Sequence, residues 1–423
     1  PDRTVHTGLL EYKNVYRPAR VISYDKESGE LVLHNYMDFD NLKDYVKISY
    51  ELTQDGLLIG KGKLDEVSVV PHSEGKTNLQ VNVPENGKCY LKLTYHLKKE
   101  MPLLEEDYIL GFDEIEVSQK DAKCQLAEKW VEKTVTDSEL QVSEDDTQIH
   151  IKGREFAYTI DRRTALFTEM KFAGREYLNH PMELNIWRAP TDNDMYIKSE
   201  WKKAHYDKAY TRAYTTEVVQ GKHGVKITSH ASVVAETVQK ILDVTITWKI
   251  EAAGKIDADI AVTKDDEFPD LPRFGVRMFL DKKLSDARYF GMGPQESYCD
   301  KHQAASHGLY QANVDDLHED YIRPQENGSH YDCEYVELNN SRYGIVASAE
   351  KAFSFNASYY TQEELEKKTH NYELIESDSV VFCVDYALNG IGSNSCGPVV
   401  LEQYRFDDVL FRFQFTLIPY IKG

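Results

Sequence analysis

Tyr90-Leu91-Lys92-Leu93-Thr94-Tyr95-His96-Leu97 alternates large apolar side chains with polar ones along its whole length. A period of two puts the apolar set on one face of a strand, whereas a helix would scatter it round the cylinder. The same pattern governs Leu31-Val32-Leu33-His34-Asn35-Tyr36 and Tyr45-Val46-Lys47-Ile48-Ser49-Tyr50. Turn signals separate these runs at Glu27-Ser28-Gly29, Asp55-Gly56 and Glu85-Asn86-Gly87. Short strands at this spacing predict an immunoglobulin-like β-sandwich over residues 1–118.

A polar, acidic stretch follows at 118–146, read as a linker over 119–141. Beyond it the period of two returns. Phe156-Ala157-Tyr158-Thr159-Ile160 enters a turn at Asp161-Arg162-Arg163-Thr164 and comes back over 166–172. The runs 225–235, 241–250, 256–262 and 274–280 continue the series, which predicts a second, large two-sheet sandwich over 142–423. The chain reads as all-β. Helix is expected in two places only, after the capping spacing Thr361-Gln362-Glu363-Glu364 and within 197–208.

Composition excludes several functions. At 423 residues the chain is long enough for two or three domains. Asp and Glu number 71 against 50 Lys and Arg, a net charge of −21, which repels phosphate backbones and anionic lipid. With 28 Tyr and 16 Phe, the chain can build real cores. No run approaches the ~20 apolar residues of a membrane span. The six cysteines (Cys89, Cys124, Cys299, Cys333, Cys383, Cys396) form no C-x-x-C pair, so reduced thiols in the cytoplasm are expected, without zinc or disulfides. The opening Pro1-Asp2-Arg3-Thr4 lacks Met and any leader pattern, so the chain is expected to be a piece of something longer.

Six strings are too particular to be composition: Pro1-Asp2-Arg3-Thr4-Val5-His6, Trp187-Arg188-Ala189-Pro190-Thr191-Asp192-Asn193-Asp194, Leu271-Pro272-Arg273-Phe274-Gly275, Gly291-Met292-Gly293-Pro294-Gln295-Glu296-Ser297-Tyr298-Cys299-Asp300, Arg323-Pro324-Gln325-Glu326-Asn327-Gly328 and Phe355-Asn356-Ala357-Ser358-Tyr359-Tyr360-Thr361. In this order they resemble the C-terminal part of the lacZ-type β-galactosidases of glycoside hydrolase family 2. The resemblance implies that 1–118 is the sandwich following a (β/α)8 barrel, and that 142–423 is the terminal galactose-mutarotase-like supersandwich, the β-galactosidase small-chain domain.

It also implies what this chain does not contain. Retaining hydrolysis uses two carboxylates about 5–5.5 Å apart, and the family keeps both in the barrel with its magnesium and sodium sites. No catalytic residue, metal or cofactor is therefore expected here. The barrel, in the same chain or a separate large subunit, becomes the expected partner, together with a β-galactoside and further copies of the parent protein. Cys333-Glu334-Tyr335 imitates the family's nucleophile string, but Val336 and Glu337 follow where Ala-His is needed.

Two loops are implied at the active-site mouth. Gly392-Ser393-Asn394-Ser395-Cys396-Gly397-Pro398 matches a loop carrying a tryptophan beneath the aglycone sugar, with Cys396 in its place. Asn394, Ser395 and Cys396 are thus pocket candidates; the competing reading is a stiff turn around a small buried thiol. Asp192, Asn193 and Asp194 fall at a mobile loop of the family, and would equally serve to cap the helix expected at 197–208. Glu296, His302, His307, Glu326 and His330 hold acids and bases of the kind a mutarotase needs, which keeps an independent sugar-binding or aldose-epimerase module as the alternative. Their competing role is structural, with Glu296 and Glu326 tying loops to strands through backbone amides. Trp187, Trp201 and Trp248 suit either a sugar platform or a sandwich core.

Overall fold

The computed structural model describes residues 3–119 and 140–422. Most of the expected linker, and Cys124, lie outside them. The described chain is all-β and divides into two compact units.

The first unit is a sandwich of two antiparallel sheets. One sheet orders Ala19–Tyr24, Glu30–Asn35 and Glu74–Asn78 side by side; the other orders Leu57–Lys63, Val46–Gln54, Cys89–Leu97 and Ile109–Ser118. Cys89–Leu97 shows why alternation decides the fold: Leu91, Leu93 and Tyr95 are buried while Lys92, Thr94 and His96 are not. Leu31 and Leu33 of the facing sheet meet them in one core. His302–Leu309, within the stretch read as the second domain, also belongs to this unit. Glu11 accepts from the backbone of Gln303 and Ala304 at 2.9 and 2.8 Å, and Glu114 accepts from His307 Nδ1 at 2.7 Å.

The second unit builds one core between a five-stranded and a twelve-stranded sheet. In the larger sheet Leu178–Asn185 pairs with Arg273–Asp281, which pairs with Ser379–Leu388. All three strands deliver their C-terminal or N-terminal ends to the site described below. Trp248 and Trp201 are wholly buried, with indole nitrogens donating to Ala165 O and Asp270 O, each at 2.8 Å. Trp187 is also buried, so none of the three offers a platform to solvent. Glu334 lies on the strand Ser329–Asn339 of the same sheet.

Two helices form where expected, while Thr7–Val15 and the short Leu42–Tyr45 are helical where only strands and turns are expected. Gln362–Lys367 starts at Thr361, whose hydroxyl accepts from Glu364 N at 3.1 Å. Ile197–Lys203 is followed by the single turn Tyr206–Lys208, with left-handed His205 between them. Asp192–Asp194 does not cap that helix. It forms its own 3-10 turn, capped by Thr191, while the helix starts at Tyr196 with no side-chain cap. The reason is Asp194, whose carboxylate is committed to Thr191 N and Thr191 Oγ1 at 2.8 and 3.1 Å.

Candidate functional site: a loop held from three sides

The strand Ser379–Leu388 runs into an irregular segment, 389–400, that contains the candidate residues Asn394, Ser395 and Cys396. Irregular backbone is stable only where its polar groups find partners, and here three separate side chains supply them. Arg188 is fully buried and donates to the carbonyls of Asn389 and Gly390. Asp300 accepts from Ile391 N at 2.9 Å and Gly392 N at 2.7 Å. Asn193 donates to Gly392 O at 2.6 Å and accepts from Ser395 N at 3.4 Å. Two loops about 200 residues apart in sequence, both expected at the site, are thus hydrogen-bonded to one another.

Gly392 is required at the centre of this arrangement. Its φ is +65°, and a Cβ there would stand 2.6 Å from Val400 Cγ2. Beyond it, Gly397 N donates to Ser393 O at 2.7 Å and closes the tip. Cys396 sits on that tip and is exposed, so the reading of a buried thiol is overturned. The closing bonds run between backbone atoms, and the thiol has no core to enter.

Beneath the loop lies a buried ion cluster. Arg188 Nε and Nη2 grip Asp194 at 3.2 and 2.7 Å. Arg273 donates to Asp385 through Nε and Nη2 at 3.2 and 2.5 Å, and to Glu326 through Nη1 at 3.1 Å. Burial alone would push the Arg273 pKa down, but Asp385 and Glu326 outweigh it and hold the guanidinium well above its usual value. Burial pushes the Glu326 carboxyl up, against the pull of Arg273 and Arg188. Glu326 also anchors its own loop, donating its backbone N–H to Ala189 O at 3.0 Å. Its side chain goes to Arg273 rather than to the backbone amides expected for it. Breaking such a pair on one side costs ~3–5 kcal/mol, because the remaining charge has no water to turn to.

The other candidates are dispersed. Glu296 is buried, accepting from Gly328 N at 2.8 Å and from Lys301 and Tyr321, as a loop tie would. His330 is buried between the rings of Tyr289 and Phe355, at 4.5 and 5.0 Å. His302 and His307 belong to the first unit, where His307 stacks on Tyr90 at 4.1 Å. Asp192 is exposed and linked to Gln325, which accepts from its backbone N–H at 3.0 Å. Among the described residues no group of three or more His, Cys, Asp or Glu is placed to hold a metal ion, and no helix is long and apolar enough to cross a membrane. Arg188, Arg273 and Asp300 are the residues that sequence reasoning missed. The signal for the two arginines was a charge embedded among apolar residues, as in Trp187-Arg188-Ala189-Pro190.

The arrangement can present polar groups on a rigid loop, but it aligns no exposed acid with a base. Known proteins share the chain's sequence pattern. The β-galactosidase small-chain family matches residues 152–417, and domain 4 of β-galactosidase matches 31–118. A β-galactosidase from Actinobacillus pleuropneumoniae is 42% identical over 420 residues, covering 99% of this chain and 40% of that protein. One from Staphylococcus xylosus is 30% identical, covering 99% and 41%. The chain thus spans about 40% of the length of the relatives it matches. Among solved structures, galactose 1-epimerase from Lactobacillus acidophilus is similar over 68% of this chain and 100% of that one, at 9% identity and a TM-score of 0.36. The match to 152–417 covers most of the chain and passes through every residue that holds the loop: the chain belongs to the β-galactosidase small-chain family.

Proposed function

We propose that the chain is the C-terminal portion of a β-galactosidase and is inactive alone. In the assembled enzyme it supports a catalytic barrel, shapes the aglycone side of the pocket with the loop at 389–400, and contributes assembly contacts. The carrying observation is that loop: its tip is exposed, yet its base is held by Arg188, Asp300 and Asn193. A segment fixed this firmly at its root and open at its tip suits a surface presented to a substrate. The barrel, on this reading, supplies both carboxylates of the retaining pair together with the magnesium and sodium ions, in a cytoplasmic homo-oligomer.

The alternative, an aldose epimerase, needs an acid and a base reaching one sugar ring. Glu326 is engaged by Arg273, Glu296 by Lys301 and Gly328, and His330 is enclosed by aromatic rings, so the observations favour the first reading.

Assays with nitrophenyl β-galactoside test the proposal. The chain alone should show no turnover, and addition of a barrel-containing portion of a relative should restore it. Turnover by the chain alone that responds to a point change within it would overturn the reading. In the intact enzyme, Cys396→Trp should tighten binding of a glucose acceptor by roughly two- to ten-fold, since an aromatic contact is worth about 0.5–1.5 kcal/mol. The exposed tip should take the larger ring without loss of stability.

A further inference from the structure

On the second unit a cleft of about 480 Å³ opens between the ends of several large-sheet strands, and nothing above assigns it a role. Its walls carry four tyrosines, Tyr298, Tyr331, Tyr386 and Tyr404, over Phe353 and Phe406. Tyr386 is a fixed ring, stacked on Phe411 at 4.9 Å and packed against Phe406 at 5.9 Å. The volume lies within the ~300–1,000 Å³ of small-molecule sites.

The charges of the cleft select the ligand class. Asp332, Glu350 and Asp408 line it together with Lys351, Arg405 and Arg412, the last already paired with Asp259. Either kind of ion would meet side chains of its own sign, so a charged ligand gains little on entering. A purely apolar ligand would strip water from these charged groups without replacing their hydrogen bonds. A neutral ring that carries hydroxyls on its edge and C–H bonds on its faces satisfies both demands. Its hydroxyls donate to the carboxylates and accept from the bases, while its faces pack on the partly exposed rings of Tyr331, Tyr386 and Tyr404. We infer that this cleft binds a neutral pyranose, as a monosaccharide or disaccharide.

The site uses groups already in place. Tyr298 and Phe353 are buried, while Ala352, also in the lining, is exposed and small. One wall is formed by Leu388 and by 403–406, the two stems of the loop at 389–400. A bound ring therefore touches both stems.

Isothermal titration of the 423-residue chain with D-glucose, D-galactose and lactose tests the inference, with glucuronate and glucosamine as charged rings of like shape. At least one neutral sugar should bind saturably with a millimolar Kd, and both charged analogues at least about five-fold more weakly. Ala352→Trp, which adds a large ring to the lining without removing any packed side chain, should weaken binding by about ten-fold or more. If that variant lowers the Tm, Tyr404→Phe carries the test instead, with an expected loss of about three-fold from one hydroxyl. Absence of saturable binding by every neutral sugar overturns the inference. So does undiminished binding in a folded Ala352→Trp or Tyr404→Phe chain, or binding of a charged analogue as tight as that of the neutral sugars.

Discussion

Arg273 and Arg277 lie four residues apart on one strand, and an even spacing turns both to the same face of the sheet. Each holds two carboxylates. Arg273 grips Asp385 and Glu326, and all three side chains are at most 2% exposed. Arg277 grips Glu183 and Glu363, at 2.6 and 2.9 Å, but those carboxylates are 47% and 50% exposed. The chemistry is the same and the alternative differs. Glu183 and Glu363 can exchange the arginine for water, whereas Asp385 and Glu326 cannot. Burial thus converts an ordinary ion pair into a constraint, and the constraint sits under the loop at 389–400.

The largest expected effect follows directly. Arg273→Met should cost ~3–5 kcal/mol by stranding two buried carboxylates, and Arg277→Met about 1 kcal/mol. Urea midpoints at constant slope measure both, and equal losses would break the comparison. A triple replacement, Arg273→Met with Asp385→Leu and Glu326→Met, sharpens it. Removing Arg273 together with both of its carboxylates leaves Arg188 paired with Asp194 and no orphaned charge, so at least half of the single-variant loss should return. If the triple variant is as unstable as Arg273→Met, the cost lies in packing rather than in unpaired charge.

A smaller effect concerns the loop above the cluster. Asp300→Ala removes the acceptor of two backbone N–H groups, at Ile391 and Gly392. Hydrogen exchange at these two amides should accelerate by about ten-fold or more, from bonds worth about 1.5–3 kcal/mol each. The strand Arg273–Asp281 should exchange at its original rate. Acceleration throughout that strand would mean that Asp300 supports the whole unit rather than the loop.

These contrasts explain what the sequence could reveal. Alternation at 90–97 was legible because a half-buried strand writes its burial directly as a period of two. Thr361 was legible because a cap acts within four residues. The family was legible because strings such as Trp187-Arg188-Ala189-Pro190 persist as strings. Asp194 was misread for the converse reason. Locally it is a short acid before a helix, and its burial against Arg188 depends on strands that meet it from elsewhere in the chain. The bond from Asn193 to Gly392 spans about 200 residues, and no periodicity encodes it. Charged residues are read from sequence as surface, so the Arg273 cluster stayed hidden until its neighbours closed over it.

The smallest effect compares acids at opposite extremes of burial. Burial raises the Glu326 pKa, whereas Asp145 is exposed and lowered from 3.8 to about 2. The first cause at Asp145 is the backbone N–H of Thr147, donated to Oδ1 at 2.7 Å; the Thr147 hydroxyl and Gln148 N–H add to it, at 2.9 and 2.8 Å. These bonds close the turn between Gln141–Glu144 and Gln148–Lys152, and they favour the charged form. The signs are therefore opposite. A depressed folded pKa stabilises the fold above the unfolded value and loses that contribution as pH falls through the folded value. Asp145→Asn should thus be less stable than the parent chain at pH 7, and the gap should close between about pH 4 and pH 2 as the parent protonates. Glu326 runs the other way: its raised folded pKa means that the parent gains stability relative to Glu326→Gln as pH falls from neutral toward the ordinary glutamate range. Urea midpoints for both variants at several pH values between 7 and 2 read the two trends. An Asp145→Asn gap that stays constant down to pH 2 would show that the turn is held by the shape of the side chain and not by its charge.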